Sequence, residues 1–587
     1  MRGAAARCRA ARGLGFAAIA TLAPAGAWAA PSASTVVWVR FVDHGSLEHA
    51  TENQRRQTAL AALAPRSLER RHRRGSGVLV FESDLPVEPR YVAALAERGF
   101  RVRVVSRWLN AASVEAEPAR LAELSALPFV SAVEVAPRAW RMAPDTVTPI
   151  AEPAGAGAGP ASVAGPGDPS FYGYAWAQNR LVEVDSLHSA GLSGQGILVA
   201  MLDTGFRETN RVLDSLHVVA RWDFIHADSV VANEPGQDGA GQDSHGTNTL
   251  SILAAYLPGR MVGPAYRASF ALAKTEDVAS ETPVEMDYWQ AAAEWADSLG
   301  ADVISSSLGY NEFDNSADSY RYSDMDGRTT VATLAAAEAA RRGIVVVTAQ
   351  GNEGNRPWHY LLAPADAESV CAVGATDSTG IVTPFSSYGP SADGRVKPDV
   401  CGMGSAVAIA IASNDTLIYH GSGTSYSTPE IAGLAALLLE AHPTWSPFEV
   451  VESLRATATR FDTPDAHAGF GVAQGALAAA WTPSTVFAAT APGAAALVFA
   501  GPMPARRGGA FTFWMRAGRA SGPARVQVFD TRGRRVRSLF EGPVLAGSER
   551  LLSWDGRDGF GSLAPAGVFF VRLDAPGVRL GRRLILL

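Results

Sequence analysis

Three polar side chains in the middle of the 587-residue chain have neighbours that suit nucleophilic catalysis. Asp203 ends the apolar run VAMLD, His245 lies in SHGT, and Ser425 lies in the small-residue run GSGTSYSTP. A serine hydroxyl becomes a good nucleophile only when an imidazole accepts its proton, and a nearby carboxylate holds that imidazole in the useful tautomer. We therefore interpret Ser425 as a nucleophile, His245 as its general base and Asp203 as the residue that orients the base.

Other polar and small residues could complete the same site. The run QGNEG places Asn352 after an apolar segment, where its side-chain N–H could bind an oxyanion together with the backbone N–H of Ser425. The runs SSLG and TAQG also follow or end apolar segments and could pair with an extended peptide or line a pocket for its side chains. The candidate substrate-binding residues are Ser307, Leu308, Gly309, Ala349 and Gly351.

The elements that must position these groups alternate between strands and helices over residues 171–482. Apolar runs predict strands at 196–202, 302–306 and 344–349, and helices are predicted at 245–255, 286–299 and 330–342. Such alternation favours a doubly wound α/β fold, in which helices cover both faces of a parallel sheet. Because functional groups gather at the carboxyl ends of parallel strands, Asp203 is expected at that edge of the sheet.

Taken together, the four segments resemble the signatures of the subtilisin-like serine peptidases, in the Asp, His, Ser order of that family. The resemblance covers residues 181–479. It implies a doubly wound parallel sheet and hydrolysis of peptide bonds in proteins through an acyl-enzyme, with no cofactor required. Asn248 and Glu430 stand where family members often have histidine, but neither position belongs to the triad.

Many members of that family also carry structural calcium. Two acidic stretches, at residues 276–287 and 311–327, offer carboxylates, but their spacing assigns no ligand. A solvated charged rim is the first interpretation of both stretches. The resemblance therefore leaves a structural calcium ion open without naming its site.

Upstream, residues 77–135 predict a ferredoxin-like α+β unit with the order βαββαβ. Its predicted strands are 78–81, 101–105, 111–114 and 130–135, its predicted helices are 88–98 and 118–126, and a further strand is predicted at 36–42. The unit resembles the inhibitor-type propeptide of subtilases. The resemblance implies that residues 30–141 are an intramolecular inhibitor whose tail occupies the active-site cleft until it is cleaved.

The arginine-rich run RRHRR, at residues 70–74 of the same region, has two interpretations. A solvated helix end is the first, and a nucleic-acid patch is the second. No interleaved aromatic residues or second basic face support the patch, and the net charge of −7 provides no overall attraction to nucleic acid. Proteins or peptides are therefore the expected partners.

Two segments of biased composition predict export and a linker. The first 29 residues have the order of a signal peptide, with arginines, an apolar run and the small-residue pattern AWA. This order predicts a secreted protein, either extracellular or on a bacterial cell surface. Residues 142–170 are rich in Ala, Gly and Pro, which predicts a flexible linker.

Cysteine is scarce, which excludes a disulfide-rich scaffold. The chain has three cysteines, and Cys8 would leave with the signal peptide. Cys371 and Cys401 lie in apolar runs, where buried thiols are the first interpretation and one disulfide bond is the alternative.

After residue 482 the chain changes to short apolar runs separated by turn signals such as DTRG and WDG. The pattern predicts a small antiparallel β-sandwich over residues 483–587. It resembles C-terminal Ig-like modules related to flagellar hook-capping proteins and bacterial secretion-sorting domains, which implies sorting by secretion machinery, attachment to the cell surface or simple spacing. The main alternative to a peptidase is a non-catalytic scaffold or adhesin, which would not react with an active-site serine reagent.

Overall fold

The structure, a computed structural model, describes most of the chain between residues 35 and 586. The described ranges are 35–45, 51–75, 78–135, 145–150, 163–279, 282, 284–311, 319–482, 496–499, 511–516, 521–544, 549–559, 561–576 and 578–586. The predicted signal peptide lies outside these ranges, as do residues 151–162 of the predicted linker and residues 312–318 of the second acidic stretch.

Residues 35–135 contain an antiparallel sheet, and two of the helices in this range pack against it. The elements are β1 (Thr35–Phe41), α1 (Glu52–Ala61), α2 (Pro65–Arg74), α3 (Pro89–Glu97), β2 (Arg101–Ser106), β3 (Ala111–Ala116), α4 (Leu121–Ser125) and β4 (Val130–Val135). The strand order is β2-β3-β1-β4. Leu95 of α3 and Leu124 of α4 share a buried core with Val37 and Val114 of the sheet. This N-terminal domain therefore has the predicted βαββαβ architecture and its own apolar core.

The first strand of that unit is β1 and not the predicted segment 78–81. Residues 78–81 form no strand, and the ring of Phe81 lies 4.1 and 5.0 Å from the guanidinium carbons of Arg341 and Arg342. A short apolar run does not by itself distinguish a strand from a segment that packs against another domain. The prediction for 78–81 was therefore wrong, and the further strand predicted at 36–42 is the one that the sheet uses.

Residues 163–482 form an α/β domain built on a parallel sheet. The sheet strands are β6 (Leu198–Asp203), β7 (His217–Asp223), β10 (Ser269–Lys274), β11 (Val303–Ser306), β12 (Val345–Ala349), β13 (Cys371–Thr376) and β14 (Val400–Met403). Two short strands, β8 (Tyr256–Leu257) and β9 (Met261–Val262), form a separate pair. The order in the large sheet is β14-β13-β12-β11-β6-β10-β7, and its neighbouring strands pair in parallel.

Helices cover both faces of this sheet, as the alternation predicted. They are α5 (Pro169–Tyr172), α6 (Trp176–Leu181), α7 (Val184–Ser189), α8 (Ser244–Ala254), α9 (Val284–Leu299), α10 (Val331–Arg341), α11 (Thr424–Ala441), α12 (Pro447–Thr457) and α13 (Gly475–Ala480). Leu434 of α11 and Val347 of β12 belong to the core on one face, and Trp289 of α9 and Ile304 of β11 belong to the core on the other. A parallel sheet buried on both faces is the doubly wound arrangement. In the part of the chain that the structure describes, no helix combines the length and apolar character needed to cross a membrane.

The two cysteines of the α/β domain lie on neighbouring strands. Cys371 of β13 and Cys401 of β14 are both buried free thiols, so the structure shows the first of the two predicted states and not the disulfide. Burial raises the pKa of Cys401 to about 12 and that of Cys371 further, which keeps both sulfur atoms protonated and unreactive.

A small antiparallel sheet combines the two strands that precede α11 in the chain with a strand from residues 146–149. It consists of β5 (Thr146–Pro149), β15 (Val407–Ile411) and β16 (Asn414–Ser422), in the order β15-β16-β5. Thr146 pairs with Ser422, and Pro149 pairs with Tyr419. Residues 146–149 were predicted as flexible linker, but three consecutive β-branched residues suit a strand, and the edge of β16 supplies the hydrogen-bonding partner.

The arginine-rich end of α2 is buried, contrary to the predicted solvated helix end. Arg70, Arg71 and Arg74 are at most 6% exposed. Arg70 and Arg71 both donate hydrogen bonds to the carboxylate of Asp297 in α9, and Arg74 donates to Asp302 Oδ1 at 2.6 Å. Buried guanidinium groups need a counter-charge, and here Asp297 and Asp302 of the α/β domain supply it together with Asp84 of the N-terminal domain. Helix α2 is therefore an interface helix.

The C-terminal region folds as two antiparallel sheets. Its strands are β17 (Ala496–Phe499), β18 (Phe511–Arg516), β19 (Gly522–Asp530), β20 (Arg535–Val544), β21 (Glu549–Trp554), β22 (Gly567–Ala575) and β23 (Val578–Leu586). The sheets have the orders β17-β18-β21 and β20-β19-β22-β23. Phe511, Trp554 and Phe569 lie in one core with residues of both sheets. The two-sheet arrangement agrees with the predicted sandwich, while the resemblance to secretion-sorting modules stays a prediction.

Candidate active site

Asp203 lies at the carboxyl end of β6, which pairs with β10 and β11 in the interior of the parallel sheet. The residue is 1% exposed. The backbone N–H of Thr204 donates to its Oδ1 at 2.7 Å, and the hydroxyl of Thr249 donates to its Oδ2 at 3.0 Å. These donors stabilise the charged carboxylate and fix its orientation. The third partner of Asp203 is His245, whose Nδ1 lies 2.6 Å from Oδ1.

His245 is the second residue of α8, and its side chain is about a quarter exposed. The helix approaches β6 closely because Gly246 follows the histidine. A Cβ atom on Gly246 would lie 2.1 Å from the carbonyl oxygen of Gly205, so only glycine fits there. The close approach brings the imidazole within hydrogen-bond distance of Asp203.

Ser425 is the second residue of the 18-residue helix α11 and is fully buried. Its Oγ donates a long hydrogen bond, 3.5 Å, to the carbonyl oxygen of Ser307, and the hydroxyl of Ser307 donates to the carbonyl oxygen of Ser425 at 2.8 Å. The position at the start of a helix favours negative charge, because the helix dipole has its positive end there. The serine thus lies where backbone donors can support a developing oxyanion.

Asn352 follows β12 and is held by the residue that precedes Ser425. Its Oδ1 accepts hydrogen bonds from the backbone N–H and the hydroxyl of Thr424, at 2.8 and 2.9 Å. With the amide oxygen held by Thr424, the position of the Nδ2 group is fixed as well. It donates to Oδ1 of Asp145 at 2.9 Å. The predicted oxyanion donor therefore has one defined orientation.

The residues predicted to bind substrate end or follow β11 and β12 at the same edge of the sheet. All five are buried, and Leu308 is 8% exposed. Cβ atoms placed on Gly309 and Gly351 would both lie within 3 Å of the side chain of Leu362, so the two glycines contact one apolar residue. The structure thus brings Ser307, Leu308, Gly309, Ala349 and Gly351 close to Asn352 and Ser425, and their role in binding stays a prediction.

One residue at this site was missed by the sequence analysis. Asp145 immediately precedes β5, and its side chain is only 5% exposed. Its Oδ2 lies 3.0 Å from Nε2 of His245, and its Oδ1 accepts from Asn352. Composition placed Asp145 in the linker, although the β-branched run that follows it was a signal for a strand.

Two carboxylates therefore flank the imidazole of His245. Burial disfavours the charged ring, but the attraction of Asp203 and the hydrogen bond and charge of Asp145 outweigh that cost and raise the pKa of His245 to about 10. In this state Nε2 carries a proton that it shares with Asp145. The predicted transfer from Ser425 to His245 thus requires that Asp145 first move away.

One group of described side chains has the spacing of a metal site. Ligand atoms of Asp223, His226 and Asp238 all lie within 4.8 Å of one another. The ammonium of Lys274 lies 2.8 Å from Asp223 Oδ2 and 2.6 Å from Asp238 Oδ1. A buried cation from the protein already balances these carboxylates, so this group does not fit a calcium site.

Family models match two parts of the chain. Residues 194–472 match the model described as "Subtilase family", and residues 36–149 match the model described as "Peptidase S8 propeptide domain, Bacteroidota". The second match ends with β5, so it includes Asp145.

Several subtilisins are similar to the α/β domain. The chain is 30% identical to the subtilisin of Bacillus pumilus over 279 residues, which is 47% of this chain and 89% of that protein. It is 31% identical to subtilisin BL of Lederbergia lenta over 293 residues, 48% of this chain and 91% of that protein. For subtilisin NAT of Bacillus subtilis subsp. natto, at 31% identity, the match spans 47% of this chain and 64% of that protein, a little under two thirds of its length.

The fold also matches a solved structure. Fervidolysin from Fervidobacterium pennivorans, described as a keratinolytic enzyme related to subtilisin, aligns with a TM-score of 0.52 at 18% identity, over 93% of this chain and 72% of that chain. At this identity the likeness concerns the fold alone. The near-complete coverage of two subtilisins at 30% identity or more shows that the chain belongs to the subtilase family.

Proposed function

We propose that this chain is a serine endopeptidase that hydrolyses peptide bonds in proteins through an acyl-enzyme, and that it is exported as an inactive precursor. The observation that carries the proposal is the 2.6 Å contact between Asp203 and His245 at the carboxyl edge of the sheet, next to Asn352 and the helix of Ser425. This set of groups has the chemistry of a Ser-His-Asp triad with an oxyanion donor. Membership in the subtilase family supports the same function.

In the proposed reaction, Ser425 Oγ attacks the carbonyl carbon of a peptide bond while His245 Nε2 accepts the hydroxyl proton. Asp203 keeps the other ring nitrogen protonated and stabilises the positive imidazolium. His245 then donates the proton to the leaving amine, and the acyl group stays on Ser425. Water repeats these steps on the ester, which releases the carboxylic acid and returns the proton to the serine.

The hydrogen bonds from Thr424 fix the amide of Asn352 in one orientation, so replacing Asn352 should have a defined effect on turnover. Asn352→Ala should lower turnover by about 10²–10³, with little change in KM, because the lost N–H acts mainly on the oxyanion of the transition state. The measurement is the steady-state hydrolysis of a small peptide substrate by the processed enzyme. Asn355→Ala, an exposed asparagine in the same loop, is the matched control and should leave turnover unchanged. An unchanged rate for Asn352→Ala would show that another donor binds the oxyanion.

A direct test of the function uses an active-site serine reagent such as a fluorophosphonate. The processed wild-type protein should react at Ser425, identified by mass spectrometry, and should cleave a denatured protein substrate. A non-catalytic scaffold would do neither. Failure of both measurements in a well-folded processed protein would reject the proposal.

The N-terminal domain is proposed to inhibit the α/β domain through an interface of buried polar contacts on α9. The indole N–H of Trp38 donates to Asp287 Oδ1 at 2.7 Å, and the backbone N–H of Trp108 donates to Glu294 Oε1 at 3.1 Å. The arginines of α2 bind Asp297, as described above. These three carboxylates lie along one helix and are each bound by the N-terminal domain, which supports its role as a specific partner in the precursor.

We expect Asp297→Asn to destabilise the full chain by about 3–5 kcal/mol, because it leaves the buried guanidinium of Arg70 without its ion-pair partner and leaves Arg71 with Asp84 alone. The measurement is the free energy of unfolding, in a Ser425→Ala background that prevents self-digestion. Glu69→Gln is the control, since Glu69 and its partner Arg73 are 55% and 48% exposed and should contribute less than about 1 kcal/mol. Equal shifts for the two variants would contradict the role given to Asp297.

Export and the role of the C-terminal domain belong to the same proposal. The N-terminal sequence pattern supports secretion, and the two β sheets after residue 496 have a core of their own. The residues proposed for catalysis all lie before the C-terminal domain. We infer that this domain contributes sorting, surface attachment or spacing, and that the α/β domain alone carries the peptidase chemistry.

A further inference from the structure

We propose that the carboxylate of Asp145 keeps the precursor inactive by occupying the position in which the oxyanion of the reaction would form. The inference rests on the proposed peptidase function, because it assigns an inhibitory role to one side chain at that site. It goes beyond inhibition by the domain as a whole, since it names the group that contacts the catalytic residues.

The two oxygen atoms of Asp145 occupy two positions that catalysis requires. Oδ1 lies 2.9 Å from Nδ2 of Asn352, which is within the range expected between an oxyanion and its donor. Oδ2 lies 3.0 Å from Nε2 of His245, the nitrogen that must accept the proton of Ser425. One negatively charged group therefore blocks both the oxyanion donor and the general base.

The backbone around Asp145 holds the carboxylate in place. Residues 146–149 pair with β16 in four successive register positions, from Thr146 with Ser422 to Pro149 with Tyr419. The strand runs away from the site, so the carboxylate lies at the end that is nearest to Ser425. A Cβ atom placed on Gly423 would lie 1.6 Å from Oδ1, which shows that the carboxylate lies directly on the backbone of that glycine.

A side-chain carboxylate is suited to inhibition because it resembles the transition state without being reactive. A peptide carbonyl with its oxygen bound to Asn352 would present an electrophilic carbon to Ser425 and would be cleaved. A carboxylate carries the negative charge that the site stabilises, but its carbon is a poor electrophile. With the carboxylate in this place, Ser425 Oγ donates its hydrogen bond to the carbonyl oxygen of Ser307.

The electrostatic state of the site agrees with this arrangement. The imidazole of His245 lies between Asp145 and Asp203, with both ring nitrogens within 3.0 Å of a carboxylate oxygen. These neighbours favour the protonated ring, as the raised pKa indicates. A protonated histidine cannot act as a base, so displacement of Asp145 would restore the base and uncover the oxyanion donor together.

The test compares full-length variants in their reaction with a fluorophosphonate. The measured quantity is the rate of labelling in the full-length band on a gel, which separates the precursor from processed protein. We expect Asp145→Ala to label at least ten times faster than the wild-type precursor, or to convert to the processed form during preparation. Asp145→Asn should be intermediate, because it retains an oxygen near Asn352 but loses the charge facing His245.

Val147→Ala is the matched control. Val147 belongs to the same strand, pairs with Gly421 through the backbone and has an exposed side chain, so its variant should label at the wild-type rate. Misfolding cannot produce the expected increase, since the reagent reacts only with an assembled site. A full-length Asp145→Ala protein that labels less than threefold faster than wild type would overturn the proposal. Processed wild-type protein that does not label would instead reject the peptidase function itself.

Discussion

Replacing Ser425 by alanine should lower the turnover of the processed enzyme by on the order of 10⁶, the loss that removal of the triad serine causes in subtilisin itself. The reason is that the serine, the histidine and the aspartate act as a unit, so the two that remain cannot form an acyl-enzyme. Residual hydrolysis would come from substrate binding and the oxyanion donors alone. The measurement is the hydrolysis of a peptide substrate with protein purified away from contaminating peptidases.

Ser427→Ala is the matched control for this variant. Ser427 lies two residues further along α11, is equally buried, and donates its hydroxyl to the carbonyl oxygen of Thr424 at 3.0 Å. Its loss should reduce stability by about 1 kcal/mol and leave turnover near wild type. Hydrolysis by Ser425→Ala at the wild-type rate would show that Ser425 is not the nucleophile.

Replacing Asp203 by asparagine should lower turnover by about 10⁴, because the amide would favour the wrong tautomer of His245 and would not stabilise the imidazolium. The substitution keeps the size of the side chain, and Thr204 and Thr249 can still donate to its oxygen. A folded protein with a damaged triad is therefore expected. The measurement is kcat for a peptide substrate, together with a thermal melt.

Two comparisons make this prediction specific. Asp377→Asn changes a half-buried aspartate that also follows a strand of the parallel sheet, and it should not affect turnover. The double variant Asp203→Asn with Ser425→Ala should be no slower than Ser425→Ala alone, since members of a triad are not additive. If the losses of turnover in the two single variants multiply in the double variant, Asp203 acts outside the triad.

The elements that carry the candidate site could be predicted because each one is encoded by a short segment, while the catalytic roles of their side chains stay a prediction. The strand that ends at Asp203, the helix that begins near His245 and the small residues around Ser425 are local patterns, and the parallel sheet brings their ends to one edge. These local patterns do not predict the distances between the side chains in the folded protein. The contact of 2.6 Å between Asp203 and His245 depends on Gly246, whose lack of a side chain matters only once Gly205 is beside it.

The interface between the N-terminal domain and the α/β domain could not be predicted from local sequence patterns. A run of arginines in a helix is usually solvated. Burial of this run becomes favourable because Asp297 and Asp302, more than 220 residues away, join the nearby Asp84 in pairing with the arginines. Asp145 presents the same difficulty, since its partners lie about 100 and 207 residues further along the chain. Pairs at such separations leave no periodic signal in a single sequence.

If the N-terminal domain is released as proposed, the carboxylates of Asp287, Glu294 and Asp297 would face solvent on α9, and the released domain would expose Arg70 and Arg71. Opposite charges on two separated surfaces accelerate their encounter by 10- to 10³-fold at low ionic strength, and the effect weakens once the screening length falls to about 8 Å at physiological salt. The salinity of the medium would therefore set how quickly a released domain is recaptured by the enzyme. In dilute fresh water recapture would be fast, whereas in brine the separated enzyme would stay free for longer.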